Sequence, residues 1–129
     1  MMSIFDGFTS FNFEEGVPYV SITKNGVTFN KAVIMKLDYP AFVQLLINPE
    51  GKQIAIKSCA EGDQNSTSFF KKKETSNVLS VRWNVKDLLN TLQEITGWDL
   101  SSDGYRVDGT LIKEEGAMLF DLNNGKILV

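Results

Sequence analysis

The stretch VSITKNGVTFNKAVIMKL, residues 20–37, decides how the chain is read. Val20 and Ile22 alternate with Ser21 and Thr23, the period of a half-buried strand, and KNG then supplies residues that tolerate the positive φ of a tight turn. Val27 and Phe29 resume the alternation, so a hairpin is expected. After Asn30, a good N-cap, Val33, Ile34 and Leu37 take the i, i+1, i+4 spacing of one helical face. The helix should stop before Asp38-Tyr39-Pro40, because proline disfavours helical geometry in the residue before it. A two-turn helix near 30–37, set directly behind a hairpin, is the first unit.

Outward from that unit, AFVQLLINPEGKQIAIKSC (residues 41–59) reads as a second hairpin near 42–57, joined by the turn signal NPEG. Residues 60–77 are polar and rich in turn formers, which marks a long exposed loop or linker. VLSVRW follows as a strand. Asn84 is expected to cap a helix near 84–97, with Asp87 completing a shortened capping box, Leu88, Leu89, Leu92 and Ile95 on one face, and Gly97 at the end. YRVDGTLI and AMLFDL then alternate across the turn KEEG as a hairpin near 105–122, and KILV adds an edge strand after NNG. The expected class is α+β, antiparallel hairpins with two short helices. It divides into a phenylalanine-rich arm (1–16), a hairpin-helix-hairpin unit (17–58), the polar stretch (60–77) and a strand-helix-hairpin portion (78–129); the rival arrangement is one compact domain of all 129 residues. In the arm, Phe5, Phe8, Phe11 and Phe13 are expected to dock on the domain's own core, the other reading being an arm that inserts into a partner.

The unit at 17–58 resembles the AbrB/SpoVT swapped-hairpin family of bacterial DNA-binding domains. That family has a glycine turn, a short β-run, a lysine opening a helix, a closing leucine and a final glycine-bearing hairpin; Gly26, Lys31, Leu37, Gly51, Ile54 and Ile56 stand in corresponding places. The resemblance implies a dimer whose hairpins exchange between subunits, and contact with DNA. Two positions depart from the pattern. Val27 stands where the family has arginine after the turn glycine, and Asn30 where it commonly has proline. Lysines at Lys24, Lys31 and Lys36 are therefore expected to neutralise phosphate without reading bases, since ammonium groups lack arginine's planar fork.

Charge is uneven along the chain. Residues 1–16 carry Asp6, Glu14 and Glu15 and no base, a net −3; residues 17–58 carry five lysines against Asp38 and Glu50, +3; the remainder carries eight bases and eleven acids, −3. The longest apolar run, FVQLLI, is far short of the roughly 20 residues that cross a bilayer, the first residues lack the cationic start of a signal peptide, and the single cysteine, Cys59, cannot form an internal disulfide. The expectation is a cytoplasmic protein with no membrane contact.

The chain contains no histidine, which removes histidine-based triads and the commonest transition-metal ligand. It also has no glycine-rich phosphate loop and no calcium loop. Cys59 has neither a base nor a second thiol near it in sequence, and Glu114-Glu115 sits in a turn. No catalytic residue, metal site or cofactor is expected, and the chain reads as a non-enzyme. The one cluster with binding character is SFFKKK, where Phe69 and Phe70 precede Lys71, Lys72 and Lys73: aromatics stack on unpaired bases and lysines neutralise phosphate. The opposing reading ties both phenylalanines to the core. Two functions follow. The first is a small binding module of bacterial or phage type, nucleic-acid-associated, using Lys24, Lys31, Lys36, Phe69, Phe70 and Lys71–Lys73. The alternative is a protein-binding adaptor or inhibitor acting through the aromatic arm and the acidic carboxy-terminal half.

Overall fold

The hairpin read at residues 20–37 forms in the computed structural model, which describes residues 4–10, 16–72 and 79–128. Strands β1 (Tyr19–Thr23) and β2 (Gly26–Phe29) pair antiparallel across a two-residue turn, with Thr23 opposite Gly26. Gly26 alone in the turn needs a positive φ, at 138°, and a Cβ there would stand 2.8 Å from the Trp83 carbonyl oxygen. Helix α1 (Lys31–Lys36) follows, its first turn capped by the Asn30 side chain, which accepts the Val33 N–H at 3.3 Å. That same side chain accepts the Tyr19 N–H at 3.0 Å and donates to the Val17 carbonyl at 2.8 Å, so one asparagine fixes both the helix start and the start of β1.

Strands β3 (Phe42–Asn48) and β4 (Gln53–Cys59) form the second hairpin, and β5 (Thr67–Ser68) adds two residues to the edge of β3. Strand β6 (Val81–Trp83) pairs with β2, and α2 (Lys86–Thr96) buries Leu89 and Leu92. The third hairpin is β7 (Tyr105–Ile112) with β8 (Ala117–Asp121), turning through Gly116 at φ 61°, and β9 (Lys126–Ile127) returns to β7. The α+β class with antiparallel hairpins and two helices is thus present among the described residues.

All these pairings belong to one sheet, in the order β5-β3-β4-β8-β7-β1-β2-β6, with β9 beside the first half of β7. The β7-β8 hairpin stands between the two hairpins of residues 17–58, and each of those takes a neighbour from it within the same chain. The sheet curls into a half-barrel. Its two edge strands meet where the Trp83 indole N–H donates to the Ser68 carbonyl at 3.3 Å. Behind that seam Phe29 lies 5.4 Å from Phe69, 5.0 Å from Trp83 and 5.8 Å from Phe120, ring centre to ring centre, so β2, β6, β8 and the residue after β5 share one aromatic cluster. Full burial of a ring such as Phe29 contributes about 1.5–3 kcal/mol. The interior is filled by Val20, Ile22, Val33, Ile34, Ile54, Ile56 and their neighbours, and no buried polar or charged residue is present among the described residues.

Three expectations are corrected. Asn84 does not cap α2: the N-cap is Val85, extended at φ −117°, with no side-chain hydrogen bond, because the phase set by Leu88, Leu89, Leu92 and Ile95 starts the helix at Lys86, one residue too late for Asn84. The stretch 60–77 is not loop throughout, since Thr67–Ser68 join the sheet and Phe69 enters the core. Residues 4–10 of the arm are exposed and do not dock on the core; Phe11 and Phe13 lie outside the described residues.

Candidate nucleic-acid interface

The corner where α1 gives way to β3 gathers most of the lysines singled out in the sequence. Helix α1 ends in a Schellman motif: the Asp38 N–H donates to the Met35 carbonyl at 3.1 Å and the Tyr39 N–H to the Ile34 carbonyl at 2.9 Å. Such a motif usually has glycine at its left-handed position, but here Asp38 takes φ 62° and Tyr39 takes φ 53°. A left-handed backbone costs a residue with a Cβ about 1–2 kcal/mol, and Tyr39 also precedes Pro40, which favours an extended predecessor. The strained turn throws the Tyr39 side chain outward, where it remains 44% exposed.

Two backbone hydrogen bonds bring a second segment alongside. The Phe69 N–H donates to the Ala41 carbonyl at 2.8 Å and the Phe70 N–H to the Pro40 carbonyl at 3.1 Å, continuing the β3-β5 ladder past its last pair. Phe70 is half-buried and meets Tyr39 edge-on, ring centres 5.5 Å apart. Lys71 and Lys72 therefore leave the fold beside Tyr39, both exposed, and Lys36 stands in the last turn of α1, where its charge also complements the helix dipole. Lys31 is exposed at the other end of α1, about 9 Å away along six residues of helix. Asp38 is the acid in the group.

The other sequence candidates fall elsewhere. Phe69 is only 6% exposed and packs on Phe29 and Trp83, so its ring is not offered to a base. Lys24 sits in the β1-β2 turn, at the far end of β2 from α1, about 13 Å off along four strand residues, and is not part of the corner. Lys73 lies outside the described residues. Tyr39 was missed by sequence reading; its signal was an aromatic residue trapped between a helix stop and a proline.

On the outer face, the 3-10 turn Leu122–Asn124 interrupts the line from β8 to β9 and leaves a cleft of 540 Å³ lined by Asp108, Thr110, Asp121, Asn124 and Lys126 among others. Its carboxylates are already engaged: Arg106 Nε donates to Asp108 at 3.1 Å while its guanidinium lies 3.9 Å over the Tyr19 ring, and Asp121 accepts from the Asn123 N–H at 3.1 Å and Asn123 Nδ2 at 2.9 Å. Burial, and then the Asp63 carboxylate, push the Cys59 thiol up, which disfavours the thiolate a nucleophile needs. Among the described residues, no three thiol or carboxylate side chains converge as metal ligands, and no helix is long and apolar enough to cross a membrane.

In comparisons with known proteins, no family model, no curated protein and no solved structure matches the chain.

Proposed function

We propose that the chain is a small binding module, with no reaction of its own, that holds single-stranded nucleic acid at the α1-β3 corner. The observation that carries this reading is the pair of backbone hydrogen bonds from Phe69 and Phe70, which sets Lys71 and Lys72 beside the exposed Tyr39 ring and the end of α1. Stacking on one aromatic ring contributes about 1–3 kcal/mol per base whatever the base, and each lysine that neutralises a phosphate adds affinity that salt removes. No arginine stands at the corner, so binding is sequence-tolerant. The resemblance of residues 17–58 to the AbrB/SpoVT family supports nucleic acid as the partner class, and the single cysteine supports a cytoplasmic setting.

The test is titration of labelled single-stranded and duplex DNA across salt. Wild type should bind the single strand in preference, weakly, and ever less as salt rises. Changing Lys36, Lys71 and Lys72 to glutamine should lower the log-log salt slope by about 0.7 for each lysine in contact. Tyr39→Ser should cost about 1–3 kcal/mol with the slope unchanged. No binding by wild type at low salt would falsify the proposal. The exposed arm favours a second reading, a protein contact, because Ile4 is 86% and Phe8 73% exposed.

A further inference from the structure

The half-barrel leaves part of one edge open. Within β3, strand β5 covers only Phe42 and Val43, so residues 44–48 have β4 on one side and, among the described residues, no strand on the other. The phase of the ladder decides which backbone groups face out. The Leu122 N–H donates to the Lys52 carbonyl at 2.9 Å and the Ser58 N–H to the Gly116 carbonyl at 2.9 Å, so Ile54 and Ile56 between them also face β8. Ala55 and Lys57 therefore face β3 and hold Leu46 and Gln44, while Val43, Leu45 and Ile47 turn outward. Val43 meets Thr67 of β5; the N–H and C=O of Leu45 and Ile47 have no hydrogen-bond partner among the described residues.

Proteins that stay monomeric guard such edges with short length, charge, proline or a bulge. The edge strands β6 and β9 are three and two residues long and carry Arg82 and Lys126. The open part of β3, Gln-Leu-Leu-Ile-Asn, has none of these guards. It bears no charge and no proline, it pairs with β4 without a break in register, and Leu46 is 46% and Ile47 36% exposed.

From this unguarded edge we infer that β3 pairs antiparallel with β3 of a second copy about a twofold axis at Leu46, joining two half-barrels into one continuous sheet. That register sets Leu45 opposite the second copy's Ile47, and Ile47 opposite its Leu45, so the residues with outward groups meet one another and none of those groups is left over. Leu46 meets its own copy at the non-hydrogen-bonded position, where side chains come closest, and Gln44 meets Asn48, so no charge faces a like charge. On the outer face Leu46, Ala55 and Leu119 stand opposite one another across β3, β4 and β8, and the axis doubles that apolar row. An unrelated strand would find the same hydrogen bonds; the second copy is selected because the register matches itself and lacks the charges that repel self-pairing. Both hairpins stay within their own chain, and the inference does not rest on the proposed function.

Five residues a side bury less than the roughly 1,200 Å² at which standard interfaces begin, so the dimer is weak. Sedimentation velocity on the full chain between about 10 μM and about 1 mM should show 14.4 kDa giving way to twice that mass, with little effect of salt because the joint holds no charge. Over the same range amide exchange at Leu45 and Ile47 should slow about tenfold, and more than at Leu46, which is already bonded to β4. Leu46→Lys and Leu46→Glu each set like charges against each other at the axis, and each should be monomeric with wild-type circular dichroism. Their equimolar mixture should restore a dimer, now weakened by salt. Ile47→Pro removes one outward N–H while sparing the bonds to β4, and should be monomeric as well. A wild type that stays monomeric at about 1 mM overturns the inference and leaves the edge to a strand of another protein. A dimer that these variants leave intact, or a Lys–Glu mixture that stays monomeric, overturns it too.

Discussion

Asp99 holds the link between α2 and β7 by accepting the Ser101 N–H at 3.1 Å, the Ser101 hydroxyl, and the Ser102 hydroxyl at 3.1 Å, while its own carbonyl accepts the Ser102 and Asp103 N–H groups. The Ser101 hydroxyl first, then the Ser101 N–H and the Ser102 hydroxyl, draw the Asp99 carboxyl below the ordinary aspartate range, with slight desolvation opposing. A carboxyl whose folded pKa is lowered adds stability above its unfolded pKa, and that stability is lost as pH falls through the folded value. Carboxyl NMR titration should therefore place the Asp99 midpoint below that of the same residue in the urea-unfolded chain. Asp99→Asn should be less stable at neutral pH and should show a smaller loss on acidification; a midpoint at or above the unfolded one would refute the role given to the two serines. This carboxylate was not legible as special in the sequence, and of Tyr39 only its place between a helix stop and a proline was. A motif of the form Asp-x-Ser-Ser is common turn spelling, and nothing local says that Asp38 and Tyr39 must both turn left-handed to leave α1.

The two helices are imperfect in opposite places, and each defect predicts a gain. Helix α2 begins at the exposed Val85, which cannot satisfy the free N–H groups of the first turn. Val85→Ser should stabilise the fold by about 0.5–2 kcal/mol in urea denaturation, the usual worth of a side-chain cap. An unchanged midpoint would mean that Asn84 or water already serves those groups. Helix α1 ends on a left-handed Asp38, so Asp38→Gly should relieve about 1–2 kcal/mol of steric cost against about 0.5–1 kcal/mol of added chain entropy, a net gain of up to about 1 kcal/mol by the same measurement. The elements themselves were readable because alternation, Asn30, Gly97 and the NPEG and KEEG turns are local signals. The start of α2 was misread for a physical reason: asparagine caps only where the helical phase places it, and four apolar residues further on fixed that phase.

Across the whole molecule the sheet order was not legible. Strand β1 finds β7 more than eighty residues away, and β4 finds β8 some sixty away, with no local pattern naming either partner. The fate of SFFKKK was hidden likewise: two adjacent phenylalanines look alike in sequence, yet the seam draws Phe69 inward and leaves Phe70 at the corner. Joining the edges through an indole in place of a full backbone ladder makes the seam the weakest line of the half-barrel. Trp83→Phe keeps a ring against Phe29 but removes the donor to Ser68, and should cost about 1 kcal/mol. Amide exchange at Phe69 and Phe70, which are tied to Ala41 and Pro40 next to that line, should quicken more than exchange in β4 or β8; uniform quickening would mean that the seam opens only when the whole sheet does.

The same indole gives the fold a built-in optical gauge. Of the two tryptophans, Trp98 is stacked flat on Tyr105 at 4.0 Å, far along the chain from the corner, while Trp83 touches the carbonyl three residues before Lys71. Parting of the edges wets the Trp83 indole and shifts its emission to the red, with Trp98 as a steady internal reference. Whatever comes to rest on Lys71 and Lys72 pulls on that short tether, so occupancy of the corner is readable as colour without any attached dye.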